Sequence, residues 1–323
     1  MIYINEDSLA IVLQDYSESK GWFKSDEQIT SIAKAGEGNM NVVLRVTTNL
    51  RSIIVKQSRP FVQKYQNIPA PIERIAVEHT FYKSIQNSSI NHYTPNIFGF
   101  DPESFILVME DLGDCDDMSF IYQDRTISDQ HFNKLITIIS GIHGTLPPSD
   151  FPDNIKMREL NHQHIFILPF LTDNGFSLDD IQPGLQQLSM PYKEDVILKR
   201  QVTSIGEKYL SNGQTLLHGD YYPGSWMSKN DSLYIIDPEF GFIGFPEFDL
   251  GVMAAHLIMA TDDSSFIERI EKTYPKPIDI ELLKKIAGIE IMRRLIGLAQ
   301  LPLNRTLAEK TLLLQMSKNM ILS

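Results

Sequence analysis

Leu9, Val12, Leu13 and Tyr16 fall at helical spacing and predict a first helix over residues 6–19. A strand-like pattern then takes over. Residues 29–35 and 42–47 read as strands flanking the turn Gly36-Glu37-Gly38-Asn39, and Ser52-Ile53-Ile54-Val55-Lys56 reads as a third strand. Residues 71–85 predict a helix, with Pro71 suited to its first turn. Residues 97–100 and 105–109 predict a hairpin around Asp101-Pro102-Glu103-Ser104. Beyond Asp111 the pattern is mostly helical. Phe132, Leu135, Ile136 and Ile139 mark one helix, with Ser128 as N-cap and Gly144 as stop. Further helices are expected near 193–210, 249–260 and 280–299, whereas 150–192 gives no firm pattern. The chain reads as α+β: a β-rich N-lobe with one main helix (1–112) and a mostly helical C-lobe (113–323), joined by a short hinge near 110–113.

Two apolar runs end abruptly in acid. One is Leu216-Leu217-His218-Gly219-Asp220, and the other is Tyr234-Ile235-Ile236-Asp237-Pro238-Glu239-Phe240. Carboxylates at the mouths of strands suit a divalent metal and the steering of a hydroxyl toward a phosphate. Asp220 is placed to accept or orient the proton of a substrate hydroxyl. Asp237 and Glu239 are two apart, so both point to one face and share a metal if the strand runs on through Pro238. Apolar neighbours imply burial, and buried acids need partners. His218 is expected to be a hydrogen-bonded structural residue.

Gly36 and Gly38 let backbone N–H groups approach a phosphate, although the same turn also fits an ordinary hairpin. Lys56 at a strand end and Glu78 on the next helix are either two unrelated surface charges or a pair that aims an ammonium at phosphates. The run Glu290-Ile291-Met292-Arg293-Arg294 lies in a helix that is otherwise apolar all round, so it is expected to be buried. Glu290 reaches Arg293 or Arg294 but is not expected to satisfy both. The second guanidinium would then face C-lobe acids or a substrate. Asp249 reads as an N-cap or as a tie to the 218–220 loop. Glu110, Asp111, Asp114, Asp116 and Asp117 form an acidic stretch, read as a solvated face or as the attraction for a cationic substrate.

The chain has 323 residues, 42% of them hydrophobic, enough for a large core. There is no apolar run long enough to span a membrane and no signal-like start. The single cysteine, Cys115, excludes an internal disulfide and fits a cytoplasmic location. A formal net charge of -12 argues against nucleic acid as a partner. Oligomeric state, monomer or homodimer, is left open.

Taken in order, Gly36 to Asn39, Lys56, Glu78, Glu110-Asp111-Leu112, His218-Gly219-Asp220 and Asp237-Pro238-Glu239 resemble the aminoglycoside-phosphotransferase and choline-kinase superfamily. Within it, the chain is most similar to the 5-methylthioribose kinases. The twin arginine before Leu295-Ile296-Gly297-Leu298-Ala299 and the pairing of Gly224-Ser225 with Asp237-Pro238-Glu239-Phe240 carry that narrower likeness. The resemblance implies a protein-kinase-like two-lobe fold and ATP- and Mg²⁺-dependent phosphorylation of a small-molecule hydroxyl, methylthioribose or a related sugar. The alternatives are a cationic alcohol as acceptor, or a nucleotide-binding module without catalysis. The resemblance also assigns roles. Gly36, Gly38, Asn39, Lys56, Glu78, Glu110, Asp111 and Leu112 would hold ATP, and Asp237 and Glu239 would hold Mg²⁺. Asp220 would be the catalytic residue, with Ser225, Arg293 and Arg294 on the substrate side. The sequence departs from the family pattern at Tyr221-Tyr222-Pro223, and Ser225 stands where most relatives have asparagine.

Overall fold

The computed structural model describes residues 2–5, 10–36, 40–230 and 232–323. Helix α1 (Ala10–Ser19) leads into β1 (Ile29–Lys34), β2 (Asn41–Thr48) and β3 (Ser52–Ser58). The small hairpin β4 (Phe61–Val62) and β5 (Tyr65–Pro69) precedes α2 (Arg74–Ile85). Strands β6 (Ile97–Asp101) and β7 (Ile106–Glu110) complete an antiparallel five-stranded sheet of order β1-β2-β3-β7-β6. The β4–β5 hairpin was not anticipated. Pro71 lies ahead of α2 rather than in its first turn, because the chain makes a separate turn before Arg74.

The period-two alternation divides the sheet between two cores. Leu44, Val46, Ile53, Val55, Ile106 and Val108 pack on the outer face with Ile4, Leu13 and Trp22. The other face turns Leu107 and Met109 toward Ile75 and Phe81 of α2. Lys56 follows Val55 and pairs in register with Leu107, so its side chain emerges on the α2 face. One step of strand geometry thus delivers the lysine to the helix that carries Glu78.

The remainder is mostly helical. β8 (Asp116–Asp117) leads to α3 (Ile121–Asp124), α4 (Asp129–Gly144), α5 (Ile155–His162), α6 (Leu185–Lys193) and α7 (Val196–Leu210). Ser128 caps α4 by accepting from His131 N, as its sequence position suggests. The segment without a sequence reading contains α5, a π-helical turn at Gln163–Ile167 and α6. Short strands β9 (Thr215–Leu217), β10 (Trp226–Lys229), β11 (Ser232–Ile235) and β12 (Phe242–Gly244) carry the acid-bearing loops. α8 (Pro246–Thr261), α9 (Phe266–Thr273), α10 (Ile280–Ile296) and α11 (Leu307–Leu322) close the chain. α8 and α10 are buried on nearly every face, as their lack of a polar stripe requires. Among the described residues, no helix is long and apolar enough to cross a membrane.

α8 anchors the loop that follows β9. Asp249 sits inside its first turn and does not cap it; Phe245 occupies the cap position without a side-chain bond. The Asp249 carboxylate instead accepts from the backbone N–H of His218 at 2.7 Å and of Gly219 at 2.9 Å. His143 Nε2 lies 3.1 Å from the same carboxylate. Gly219 adopts φ +84°, and a Cβ there would stand 2.1 Å from the Phe240 carbonyl oxygen, so only glycine fits this approach. Replacing Asp249 by Ala orphans two buried N–H donors. We expect Asp249→Ala to lose about 2–4 kcal/mol of stability in urea denaturation, and an unchanged midpoint would disprove the anchor.

Candidate active site

His218 joins the two acid-bearing segments. Its Nδ1 accepts from Asp220 N at 3.3 Å, so Nε2 carries the proton and donates to the Ile236 carbonyl at 3.0 Å. Burial lowers its pKa, which keeps the ring neutral and fits the structural role expected for it. Ser225 donates from Oγ to the Asp220 carbonyl at 2.9 Å, and its own carbonyl accepts from Ile236 N at 3.0 Å. Asp220 and Asp237 are therefore fixed relative to each other through backbone bonds on both sides.

The second acid pair is not strand-borne. β11 stops at Ile235, Asp237 takes the left-handed conformation (φ +63°, ψ +48°), and residues 238–240 form a 3₁₀ turn. Proline cannot continue the ladder, and aspartate is among the few residues that tolerate this backbone region. The expected one-face alternation therefore fails, and the two side chains diverge in environment. Asp237 is half-exposed, with Oδ1 2.6 Å from Lys56 Nζ. Glu239 is buried, and its Oε2 accepts from Asn41 Nδ2 at 2.8 Å and lies 3.1 Å from Arg74 Nε.

Lys56 is 3% exposed and stands 2.7 Å from Glu78 Oε2 as well as close to Asp237. Burial alone would lower its pKa, but Asp237, Glu78 and Glu239 outweigh it and hold the ammonium charged. Burial pushes the Glu78 carboxyl up against the pull of Lys56. Three carboxyl groups thus face two cations, Lys56 and Arg74, at this end of the site.

Lys56, Asp220, Ser225, Asp237, Glu239, Arg293 and Arg294 all line one cleft of about 630 Å³. Asp220 carries a pKa raised to about 6, chiefly by burial, with Arg294 and Arg293 pulling in the opposite direction. Arg294 Nη2 is 3.9 Å from Asp220 Oδ1, and its guanidinium lies 5.0 Å from the Tyr222 ring centroid. Glu290 lies in ion-pair range of both arginines but hydrogen-bonds only Arg294; Arg293 Nε is buried without a hydrogen-bond partner, in keeping with the expectation that one carboxylate does not satisfy both. The Glu290 Oε2 is 2.6 Å from Arg293 Nε and its Oε1 is 2.7 Å from Arg294 Nε. Adjacent positions on the helix present the two Nε atoms to different oxygens of one carboxylate.

Other residues singled out in the sequence lie elsewhere. Gly36 takes φ +73° between β1 and β2, whereas Gly38 and Asn39 lie outside the described residues. Glu110 ends β7, Asp111 and Leu112 follow it, and none of the three lines the cleft. Asp111 accepts from Ser52 Oγ at 2.6 Å and pairs with Arg45 at 2.8 Å, while Glu110 accepts from Asn96. Their carboxylates are committed to these partners, and the acidic stretch is only partly a solvated face. Several cleft residues had no sequence signal. Met157, Leu160 and His164 come from the unread segment, and Ile68 from the unexpected hairpin. Asn154, at φ +52°, donates to the carbonyls of Glu239 and Gly241, both at 3.0 Å, and ties that segment to the site. Tyr222 belongs to the stretch that departs from the family pattern.

A family model described as "Phosphotransferase enzyme family" matches residues 31–283, from β1 into α10. A methylthioribose kinase of Bacillus cereus (strain G9842) is 26% identical over 90% of this chain and 84% of its own length. One from Bacillus velezensis is 26% identical over 86% of this chain and 81% of its own length. Among solved structures, choline kinase LicA from Streptococcus pneumoniae superposes with TM-score 0.52 at 14% identity, over 96% of this chain and 97% of that one. A spectinomycin phosphotransferase in complex with ADP and spectinomycin gives 0.55 at 11%, over 98% of both chains. With the family match spanning both the sheet and the helical part, the chain belongs to the phosphotransferase enzyme family and is a small-molecule kinase of protein-kinase-like fold.

Proposed function

We propose that this kinase transfers the γ-phosphoryl group of ATP, with Mg²⁺, to a hydroxyl of methylthioribose or a closely related sugar in the cytoplasm. The observation that carries the reading is the single cleft, which lines Lys56, Asp237 and Glu239 at one end and Asp220, Arg293 and Arg294 at the other. Asp237 and Glu239 offer hard oxygen donors, and carboxyl groups outnumber cations around them. They fit Mg²⁺ and would hold it, and the ion would offset the charge of the nucleotide phosphates. Lys56, aimed by Glu78, would approach the phosphates. Asp220, ionised above about pH 6, would take or orient the proton of the acceptor hydroxyl. Arg293 and Arg294 would face the acceptor or its new phosphate.

The sugar assignment draws on the curated relatives named methylthioribose kinase. It also draws on the cleft wall formed by Ile68, Met157, Leu160, Leu298, Leu301 and Pro302, which suits an apolar substituent. Asp117, exposed at the cleft edge, favours the alternative of a cationic alcohol. Two arginines in the same cleft oppose it by repulsion. In an ATP-consumption assay across an acceptor panel, methylthioribose is expected to give the highest kcat/KM. Turnover with choline or an aminoglycoside but none with methylthioribose would reverse the assignment.

Asp220→Asn is expected to cut kcat by about 10²–10⁴-fold, and wild-type kcat/KM should fall tenfold per unit below about pH 6. The same variant should gain stability at neutral pH. The folded-state pKa is raised from 3.8 to about 6, so the folded form binds this proton more tightly than the unfolded chain. Stability therefore falls as pH rises from about 4 to about 6, and the full cost persists above that window. Removing the charge recovers at most about 3 kcal/mol. Turnover by Asp220→Asn equal to wild type would sink the mechanism.

A further inference from the structure

The end of α10 carries more buried charge than the packing of an apolar helix needs. Glu290 is 2% exposed and turns one oxygen toward each arginine, hydrogen-bonding Arg294 and standing in ion-pair range of Arg293, whose Nε has no hydrogen-bond partner. Both close contacts are to Nε, which leaves the terminal nitrogens to other partners. Arg294 Nη1 donates to the Ala299 carbonyl at 3.4 Å, and its Nη2 stands 3.9 Å from Asp220. Among the described residues, Arg293 has no second carboxylate in salt-bridge range, and both arginines line the cleft with Asp220.

A second layer holds Glu290. His256 is fully buried, with Nε2 3.0 Å from the oxygen that meets Arg294 and Nδ1 2.5 Å from Tyr122 Oη. The phenol is a donor through its one proton, so it donates to Nδ1, and Nε2–H donates to Glu290. Burial brings His256 down to about 4 and keeps the ring neutral, which fixes this direction of donation. Burial opposes ionisation of Glu290, but Arg293 and Arg294 overcome it and hold the carboxyl well below its usual range. Desolvating such a cluster costs more than packing apolar side chains of similar volume, so stability does not account for it.

We propose that Glu290, oriented by His256 and Tyr122, is a positioning residue that holds the two guanidinium groups as one fixed fork beside Asp220, ready to receive phosphate charge. The inference rests on the reading of Asp220 as the site of transfer. Alignment before the reaction lowers the barrier because no reorganisation is left to perform at that moment.

The test uses the full chain in two assays: turnover of methylthioribose with ATP and Mg²⁺, and titration of inorganic phosphate at saturating ADP. Glu290→Gln is expected to lower kcat by about 10²-fold, leave the KM for ATP unchanged, and weaken phosphate binding about tenfold. His256→Gln keeps an N–H donor toward Glu290 and should stay within about threefold of wild type, whereas His256→Phe should fall with Glu290→Gln. If Glu290→Gln does not fold, the two His256 variants decide the matter. Wild-type kcat and phosphate affinity in Glu290→Gln would overturn the proposal. So would equal losses in both His256 variants, or phosphate binding no tighter in wild type than in the double variant Arg293→Gln, Arg294→Gln. If wild type does not turn over methylthioribose, the acceptor reading fails on its own. The phosphate arm still decides the positioning role, with lost binding in Glu290→Gln upholding it and retained binding refuting it.

Discussion

An ammonium buried between two carboxylates organises this molecule. Lys56 comes from the sheet, Glu78 from α2 and Asp237 from the loop after β11, and the two contacts are 2.7 and 2.6 Å. Neither Lys56 nor Glu78 is cheap to bury alone, because each would lose its hydration without compensation, and the half-exposed Asp237 closes the group from the solvent side. Together they oblige three separate parts of the chain to meet at one point. Arg74 and Asn41 repeat the arrangement one layer deeper by gripping Glu239. The position of the sheet on the helical part is therefore written in charge as well as in apolar packing.

The cleft is electrostatically divided within a chain of net charge -12. Around Lys56 and Arg74, carboxyl groups are in excess. Around Asp220, two arginines are set against Asp220 and Glu290, with His256 neutral between them and Tyr122. One end of the cleft thus carries an excess of carboxyl groups, and the other balances two guanidinium groups against two carboxyl groups. The overall charge of the chain says little about either.

Period-two alternation was legible for the main strands, and the positions of α4, α7 and α10 followed from apolar spacing. Lys56 and Glu78 were legible only as alternatives, two unrelated surface charges or a pair, and the 2.7 Å contact selects the pair. What escaped the sequence had physical reasons. The geometry of Asp237 depends on a left-handed residue before proline, which alternation cannot foresee. Glu290 stands in ion-pair range of both arginines because a carboxylate has two oxygens and adjacent helix positions bring one Nε near each, a matter of side-chain torsions rather than spacing. Residues 150–192 gave no periodic signal because they pass through α5, a π-helical turn and short 3₁₀ turns. Yet they deliver Met157, Leu160 and His164 to the cleft.

Arg74 has a mechanical consequence. Its guanidinium donates to the carbonyls of Met40, Arg59 and Pro71 while its Nε faces Glu239. The β2 entry, the β3 exit and the start of α2 are thereby riveted to the floor of the cleft at a single dry point. A sheet that swings relative to the helices must then rotate about this rivet instead of lifting off it. Tyr65 and Ile68 of the β4–β5 hairpin and Leu301 and Pro302 after α10 line the same cleft. Any rotation about Arg74 would therefore alter the width of the cleft between Tyr65 and Leu301.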